Sequence, residues 1–521
     1  MWSVPYVHPS LIQGKSRELT GNRERGGRER KIMNRIHLLA TATLAAALTL
    51  GWSPVSRAEN QPSADNAGQP PAAQPAANSQ PTADQRLQEL EREVTGLQQE
   101  IAALKAENTP SVKAVALLQP GPNAAPAAFA PAGAGAAEEG PKINLAGLLG
   151  GVTLSGFGDV YYSYNPNHPF NNQSGLRFFE APTNGFAFNM AELILDKTPD
   201  ASTTESRLGY HVAAGYGQAA KVVNGSDNTG FGDGSNFFLK EAYMSYLAPV
   251  GKGLTVTVGK FVTNAGAEVI ETAPNWNYSR SLLFYYAIPF FHFGAKAAYT
   301  FSPKWSANFS LLNGWNNTII NHNALLDTGV IGASSGLTYG ATVAFTPNSK
   351  WSAYENYYVG PVTLGFKASG ATDNPWKHLS DTVIGFTPNS KWAFQINGDY
   401  GLVNTSRSMI WWGLAGYGRY TFSPKTNFAV RYEYIGDPDG FLGLLVDPFG
   451  GFSTGHAQEV TGTLSHNFTS NLLTRLEYRY DFASSPIFAQ SLSSSVPGAL
   501  VKEQSTVYLG FIYSFSSANM K

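Results

Sequence analysis

The chain contains no cysteine. That excludes a disulfide framework, a thiolate metal site and a cysteine nucleophile, and it suits passage through an oxidising compartment. Charge is scarce as well: Asp, Glu, Lys and Arg make up 14% of 521 residues, and the formal net charge is −1. A strongly basic nucleic-acid binder and a polyacidic tail protein are thereby excluded. Long apolar runs are nearly absent. Only Leu38 to Trp52 forms a long uncharged, mostly apolar run, and nothing else approaches the roughly 20 residues that a spanning helix needs. No phosphate-binding loop, zinc-ligand spacing or nucleophile elbow is present. The Asn- and Gly-rich stretch Asn224 to Asn236 lacks the ordered carboxylates of a calcium loop. These absences predict neither metal nor cofactor, no catalytic role and no nucleic-acid partner.

The one apolar run reads as a secretory signal. Lys31, Arg35 and His37 precede it, and Ser56-Arg57-Ala58 follows with small residues where a signal peptidase reads them. Met33 is the expected start, because Met1 to Ile32 is polar and Arg-rich. Residues 1–58 are therefore assigned to an upstream extension and signal peptide. Residues 59–81 form a Pro/Ala/Gln linker that cannot bury a core. A heptad run follows over 82–108. Its seam is Leu87, Leu90, Val94, Leu97, Ile101 and Leu104, with steps alternating between three and four. Thr82 with Gln85 is a capping-box signature. Arg86 with Glu91 and Glu100 with Lys105 fall at g and e positions, where opposite charges favour a parallel copy. At 1.5 Å per residue the seam is only ~27 Å long, a short oligomer clasp. A second Ala/Pro linker fills 109–149, and 516–521 is a tail.

What is abundant is aromatic residues, at 13%, and glycine, at 53 residues. The main domain, 150–515, repeats one device four times. It occurs as Phe301-Ser-Pro-Lys-Trp305, Phe345-Thr-Pro-Asn-Ser-Lys-Trp351, Phe386-Thr-Pro-Asn-Ser-Lys-Trp392 and Phe422-Ser-Pro-Lys-Thr-Asn-Phe428. Each is a polar turn flanked by large aromatics, as at a membrane–water interface. The flanking strands alternate. Phe428, Val430, Tyr432 and Tyr434 share one face, while Ala429, Arg431 and Glu433 share the other. Leu476, Tyr478, Tyr480 and Phe482 oppose Arg475, Glu477, Arg479 and Asp481 in the same way. An aromatic face beside the turns and a charged face opposite is the inside-out pattern of a barrel with a wet lumen. A β-propeller could give similar periods, but each period here holds two long strands rather than four short ones. Sixteen strands are expected, the second, fourth, ninth and tenth alternating poorly. The predicted fold is thus all-β: a transmembrane antiparallel barrel of about 16 strands behind a periplasmic coiled coil. Lys296, Arg419, Arg431, Glu433, Arg475, Glu477, Arg479 and Asp481 are the expected pore-lining residues.

The last strand, Tyr508-Leu-Gly-Phe511-Ile-Tyr513-Ser-Phe515, resembles the terminal signal of bacterial outer-membrane proteins. Leu254-Thr-Val-Thr-Val-Gly-Lys-Phe261, Gly266-Ala-Glu268 and Leu312-Asn-Gly-Trp315 resemble the OmpL-like group of β-barrel porins. The resemblance covers roughly Ser155 to Phe515. It implies passive or weakly selective diffusion of small hydrophilic solutes or ions across the outer membrane, and an assembly in which a trimer is favoured over a dimer. General porins fold the connection after the fifth strand into the lumen. By that resemblance, Glu268 and Glu271 would sit on a constriction loop opposite an arginine ladder, Arg419, Arg431 and Arg475, and set a transverse field. The other reading is a structural or adhesive barrel whose long loops bind surface partners. Cleavage after Ala58 makes Glu59 the first residue of the mature protein. N-terminal sequencing of material from outer membranes tests this, and a start upstream of Met33 would contradict it.

Overall fold

In the computed structural model the described residues are 152–519, apart from 203–204, 228–234, 321–333, 367–371, 406 and 492–497. The signal peptide, both linkers and the heptad seam lie outside them. Among the described residues, sixteen strands form a closed antiparallel barrel. In chain order they are β1 (Thr153–Tyr164), β2 (Gly185–Lys197), β3 (Leu208–Tyr216), β4 (Phe237–Ala248), β5 (Leu254–Val262), β6 (Phe291–Ser302), β7 (Trp305–Leu312) and β8 (Thr338–Asn348). They continue as β9 (Trp351–Pro361), β10 (Trp376–Phe386), β11 (Trp392–Val403), β12 (Met409–Ser423), β13 (Thr426–Asp437), β14 (Gly455–Asn467), β15 (Leu472–Ala483) and β16 (Glu503–Ser516). β16 pairs with β1, Phe511 opposite Val160, so no edge is left open. No helix of the described residues is long and apolar enough to cross a membrane.

The strands carry their large apolar side chains outward. Leu193, Met244, Val258, Phe309, Leu414, Val460, Leu476 and Tyr513 are all at least half exposed, whereas Arg431, Glu433, Glu459 and Arg479 are buried inside. A soluble sheet would do the reverse, because exposed apolar area is unfavourable in water. The repeated turns all fall at one rim, and register joins their aromatics into cross-strand pairs. Trp305 faces Phe345 and Trp351 faces Phe386, each pair stacked at 4.2 Å between ring centroids. Trp392 packs on Tyr420 at 4.6 Å, and Phe301, Phe422 and Phe428 are exposed on the same rim. The opposite rim carries long connections, and the chain between β5 and β6 turns into the barrel.

Two of the poorly alternating strands are explained by β-bulges. In β2 the extra residue is Asn189, and in β4 it is Lys240. A bulge re-aims a side chain, and both residues are buried toward the lumen. β9 and β10 alternate poorly for another reason: their outward faces carry polar residues, Glu355 and Tyr357 on one and His378, Ser380 and Thr382 on the other.

The girdle yields a direct test. In variants retaining only Trp305, Trp351 or Trp392, fluorescence is expected to be quenched by lipids brominated near the headgroup and little by aqueous iodide. Strong iodide quenching of all three would place this rim in water.

Candidate functional site

The segment 263–290 between β5 and β6 lies inside the barrel, and its backbone is the problem the site has to solve. A chain folded away from water still needs a partner for each N–H and C=O. Apart from one short helix, α1 (Leu282–Tyr286), it has little regular structure to supply them. Strand side chains do so instead. Glu477 accepts from the amides of Tyr278 at 2.5 Å and Ser279 at 3.0 Å. Glu433 accepts from Leu282 at 2.6 Å and Leu283 at 3.1 Å, the first amides of α1, where a negative charge is favoured. Asp381 accepts from Gly266, and Asn397 accepts from Ala267, both at 3.0 Å. Arg475 donates to the carbonyls of Thr272 at 2.6 Å, Ala273 at 3.0 Å and Asn277 at 3.1 Å, and also to that of Asn275. Arg479 donates to Arg280 O at 2.6 Å, and Arg431 to Ser279 O at 2.7 Å.

Ion pairs tie the same loop to opposite walls. Arg431 Nη1 lies 2.6 Å from Glu268, and its Nε lies 2.5 Å from Glu459. Arg479, on the register row that runs from Arg431 through Thr461, shares Glu459 at 3.4 Å. Across the lumen the bulged Lys240 pairs with Glu271, and with Glu192 at 2.6 Å. Asp159 accepts from Thr272 at 2.5 Å, from the bulged Asn189 at 2.6 Å and from Tyr278 Oη at 2.8 Å. The connection between β1 and β2 adds Glu180, ion-paired with Arg280, and Arg177, bound to Asp481 through Nη1 at 2.9 Å. Burial pushes the Glu180 carboxyl up while Arg280 beside it pulls the other way. Burial also disfavours charge on Arg280, but Glu180 and Asp159 hold it above its ordinary value.

Apolar packing locks the loop from its other side. Ile270, Leu282, Leu283, Phe284, Ile288 and Phe290 join one buried cluster with Phe179 and Trp411. Glycines on the wall permit the close approach: a Cβ at Gly413 would collide with Leu283, and one at Gly510 with the Tyr278 ring. Gly266, at φ 92°, takes the left-handed turn by which the loop enters.

These positions revise two expectations. Arg431, Glu433, Arg475, Glu477, Arg479 and Asp481 do face the lumen, but they are dry, each at most 4% exposed, because the loop covers them. Glu271 does not oppose the arginine ladder; it pairs with Lys240 on the other wall, since the loop crosses the lumen between Glu268 and Glu271. On its own strand Arg431 meets Glu433 only at 3.9 Å, its close contacts being Glu268 and Glu459, whereas Arg479 keeps its strand neighbour Asp481 at 2.9 Å. Two expected residues remain outside this network. Lys296 lies over the Phe261 ring at 4.5 Å, and Arg419 lies over Trp276 of the loop at 4.6 Å. Lys377, which the sequence did not single out, lies over Trp315 at 3.9 Å. Among the described residues, none of these three cations has a carboxylate in ion-pair reach. Asp159, Arg177, Glu180, Glu192, Lys240, Arg280 and Glu459 were also missed. Strand parity marks Asp159 and Glu459 as inward, but bulges hide Glu192 and Lys240, and nothing local marks a loop residue as folded inward.

Removing Arg431 tests the network. Arg431→Met strips Glu268 of its ion-pair partner and leaves Glu459 to Arg479 alone; an unpaired buried charge typically costs about 3–5 kcal/mol. Arg419→Gln removes only a ring contact of about 0.5–1 kcal/mol. Urea midpoints of the folded barrel in detergent should fall markedly for the first and little for the second. Equal shifts would mean that the network is not holding the loop.

Several solved structures are similar to this chain. The outer membrane channel DcaP of Acinetobacter baumannii is 13% identical over 70% of this chain and 97% of that one, with a TM-score of 0.43. An anion-selective porin from Comamonas acidovorans is 12% identical over 70% and 99%, with a TM-score of 0.44. Salmonella typhi OmpF, in complex with daunomycin, is 12% identical over 70% and 97%, at 0.43. No curated protein matches the chain. A family model described as putative beta-barrel porin-2, OmpL-like, matches residues 151–515, the whole barrel from β1 almost to the end of β16. The chain therefore belongs to this OmpL-like family of outer-membrane β-barrel porins.

Proposed function

We propose that the barrel allows passive or weakly selective diffusion of small hydrophilic solutes and ions across the outer membrane, which the chain reaches by a cleaved signal peptide. The observation that carries this reading is the loop 263–290, fastened inside a polar-walled barrel of a porin family. A fastened loop narrows a bore without closing it by collapse, and fixed charges around the remaining passage set ionic preference. We assign the barrel no catalytic step, and we take it to work as a homo-oligomer, a trimer in preference to a dimer, embedded in outer-membrane lipid.

The charges that set preference are Lys296 and Arg419 rather than Arg431, Arg475 and Arg479. Arg431, Arg475 and Arg479 are spent on carboxylates and loop carbonyls. Lys296 and Arg419 keep part of their surface exposed and, among the described residues, have no acid within ion-pair reach. Low-dielectric walls focus such charges, and salt screens them over about 8–10 Å.

Planar-bilayer recording tests both parts. The purified protein should show discrete conductance steps and a modest anion preference. Replacing Lys296 and Arg419 together by Gln should shift the reversal potential toward cations, most clearly at low salt. Absence of steps would favour an adhesive or structural barrel. Steps with an unchanged reversal potential would put the selectivity elsewhere in the passage.

A further inference from the structure

One patch of the outer wall is chemically wrong for lipid. Glu355 stands on the outward face of β9, where the parity of Trp351, Ala353, Glu355 and Tyr357 places it. Its carboxylate accepts from Ser380 Oγ at 2.7 Å and from Thr382 Oγ1 at 2.5 Å, both on the outward face of β10. Beside them Tyr357 Oη meets His378 Nδ1 at 2.7 Å. Glu355 is four residues from Trp351, which marks the aromatic rim. At ~3.3 Å per residue on a strand tilted by about 40°, that is ~10 Å into an apolar band about 25 Å tall. Glu355 therefore lies close to the bilayer midplane. The other outward-facing Lys, Arg, His, Asp and Glu residues of the spanning strands (Lys197, Lys260, His378, His456, His466 and Glu503) all stand within two residues of a strand end, where they can reach water or headgroups.

The patch is also low in relief. Register runs from Val343 through Glu355 and Thr382 to Gly398, with Ala341 and Ser380 on the adjoining row and Gly416 beside Ile396. Elsewhere the belt is covered by bulky groups such as Leu193, Met244, Tyr432 and Leu476. Small residues permit close approach of two membrane-embedded surfaces, and polar groups between them find partners that hydrocarbon cannot offer.

We propose that the outward face of β8–β12 centred on Glu355 is a contact surface for a second copy of this chain. The inference rests on the barrel spanning the membrane and names the face by which it assembles. Only another membrane-embedded wall can reach a midplane patch from the side. The same sequence carries a heptad pattern over 82–108 whose g and e charges favour a parallel copy of itself. That pattern brings together copies with the same orientation in the same membrane. The patch offers the remaining lone pairs of Glu355 as acceptors, and Tyr357 Oη as a donor in the tautomer where His378 Nδ1–H supplies the proton of their pair, so an identical chain carries groups of both kinds.

The cysteine-free chain makes the test clean. Single cysteines at Ala341 and Gly398 would carry a benzophenone-maleimide. A side chain at Gly398 meets nothing nearer than Leu414 at 3.6 Å. Leu193→Cys and Leu476→Cys serve as controls on other parts of the belt. Two differently tagged full-length chains are co-expressed, and outer membranes are irradiated. An adduct carrying both tags is expected from positions 341 and 398 and not from 193 and 476. No adduct at the patch, equal adducts at all four positions, or an adduct with a different protein would each overturn the proposal. As an independent measurement, Glu355→Leu should raise the monomer fraction in mild detergent at least tenfold, while the barrel keeps its heat-modifiable migration and its single-channel steps. An unchanged oligomer with Leu at this position would mean that the patch faces lipid after all. Loss of the steps alone would count against the channel reading and leave the surface standing.

Discussion

A peptide amide removed from water must be given another partner, and this requirement acts twice in the molecule. In the wall it is met by the closed ladder of sixteen strands, with β16 returning to β1. Within the barrel it acts again on residues 263–290, which have no ladder. There the acceptors are carboxylates and the donors are guanidinium groups, held on strands at fixed register. Glu477, Glu433, Asp381 and Arg475 each serve the loop backbone directly. The charges that look from sequence like a lining for passing ions are committed to holding a piece of the protein in place.

That commitment decides which charges remain to act on solutes. A guanidinium surrounded by carboxylates presents little field beyond them, whereas a cation resting on an aromatic ring keeps most of its own. Lys296 over Phe261 and Arg419 over Trp276 are of the second kind. The same arithmetic of satisfied and unsatisfied groups applies on the outside of the barrel. There Glu355 has two hydroxyl donors and an apolar belt around it, and the remaining lone pairs point toward whatever covers the wall.

Much of the architecture was legible in the sequence because a membrane barrel writes its pattern into every strand. Alternation of Phe428, Val430 and Tyr432 with Ala429, Arg431 and Glu433 gives strand and face together, and Trp305, Trp351 and Trp392 mark one rim. Legibility failed where alternation failed. Asn189 and Lys240 sit at bulges, so β2 and β4 read as irregular although the inward aim of the bulged residues is what lets them reach the loop. β9 and β10 read as irregular because their outward faces carry Glu355 and Thr382. In the interior, the sequence separation between Glu268 and Arg431, or between Arg177 and Asp481, leaves no local trace of their meeting. Parity tells which way a strand residue points; it does not tell what will be folded against it.

The central claim is that the loop 263–290, fastened across the lumen, sets the bore of a channel. Its most direct test is single-channel conductance in planar bilayers of a variant in which residues 268–281 are replaced by a short Gly-Ser linker, compared with the intact protein at the same salt. The account predicts a stable barrel with a severalfold larger unitary conductance. A folded barrel with the original conductance would contradict it.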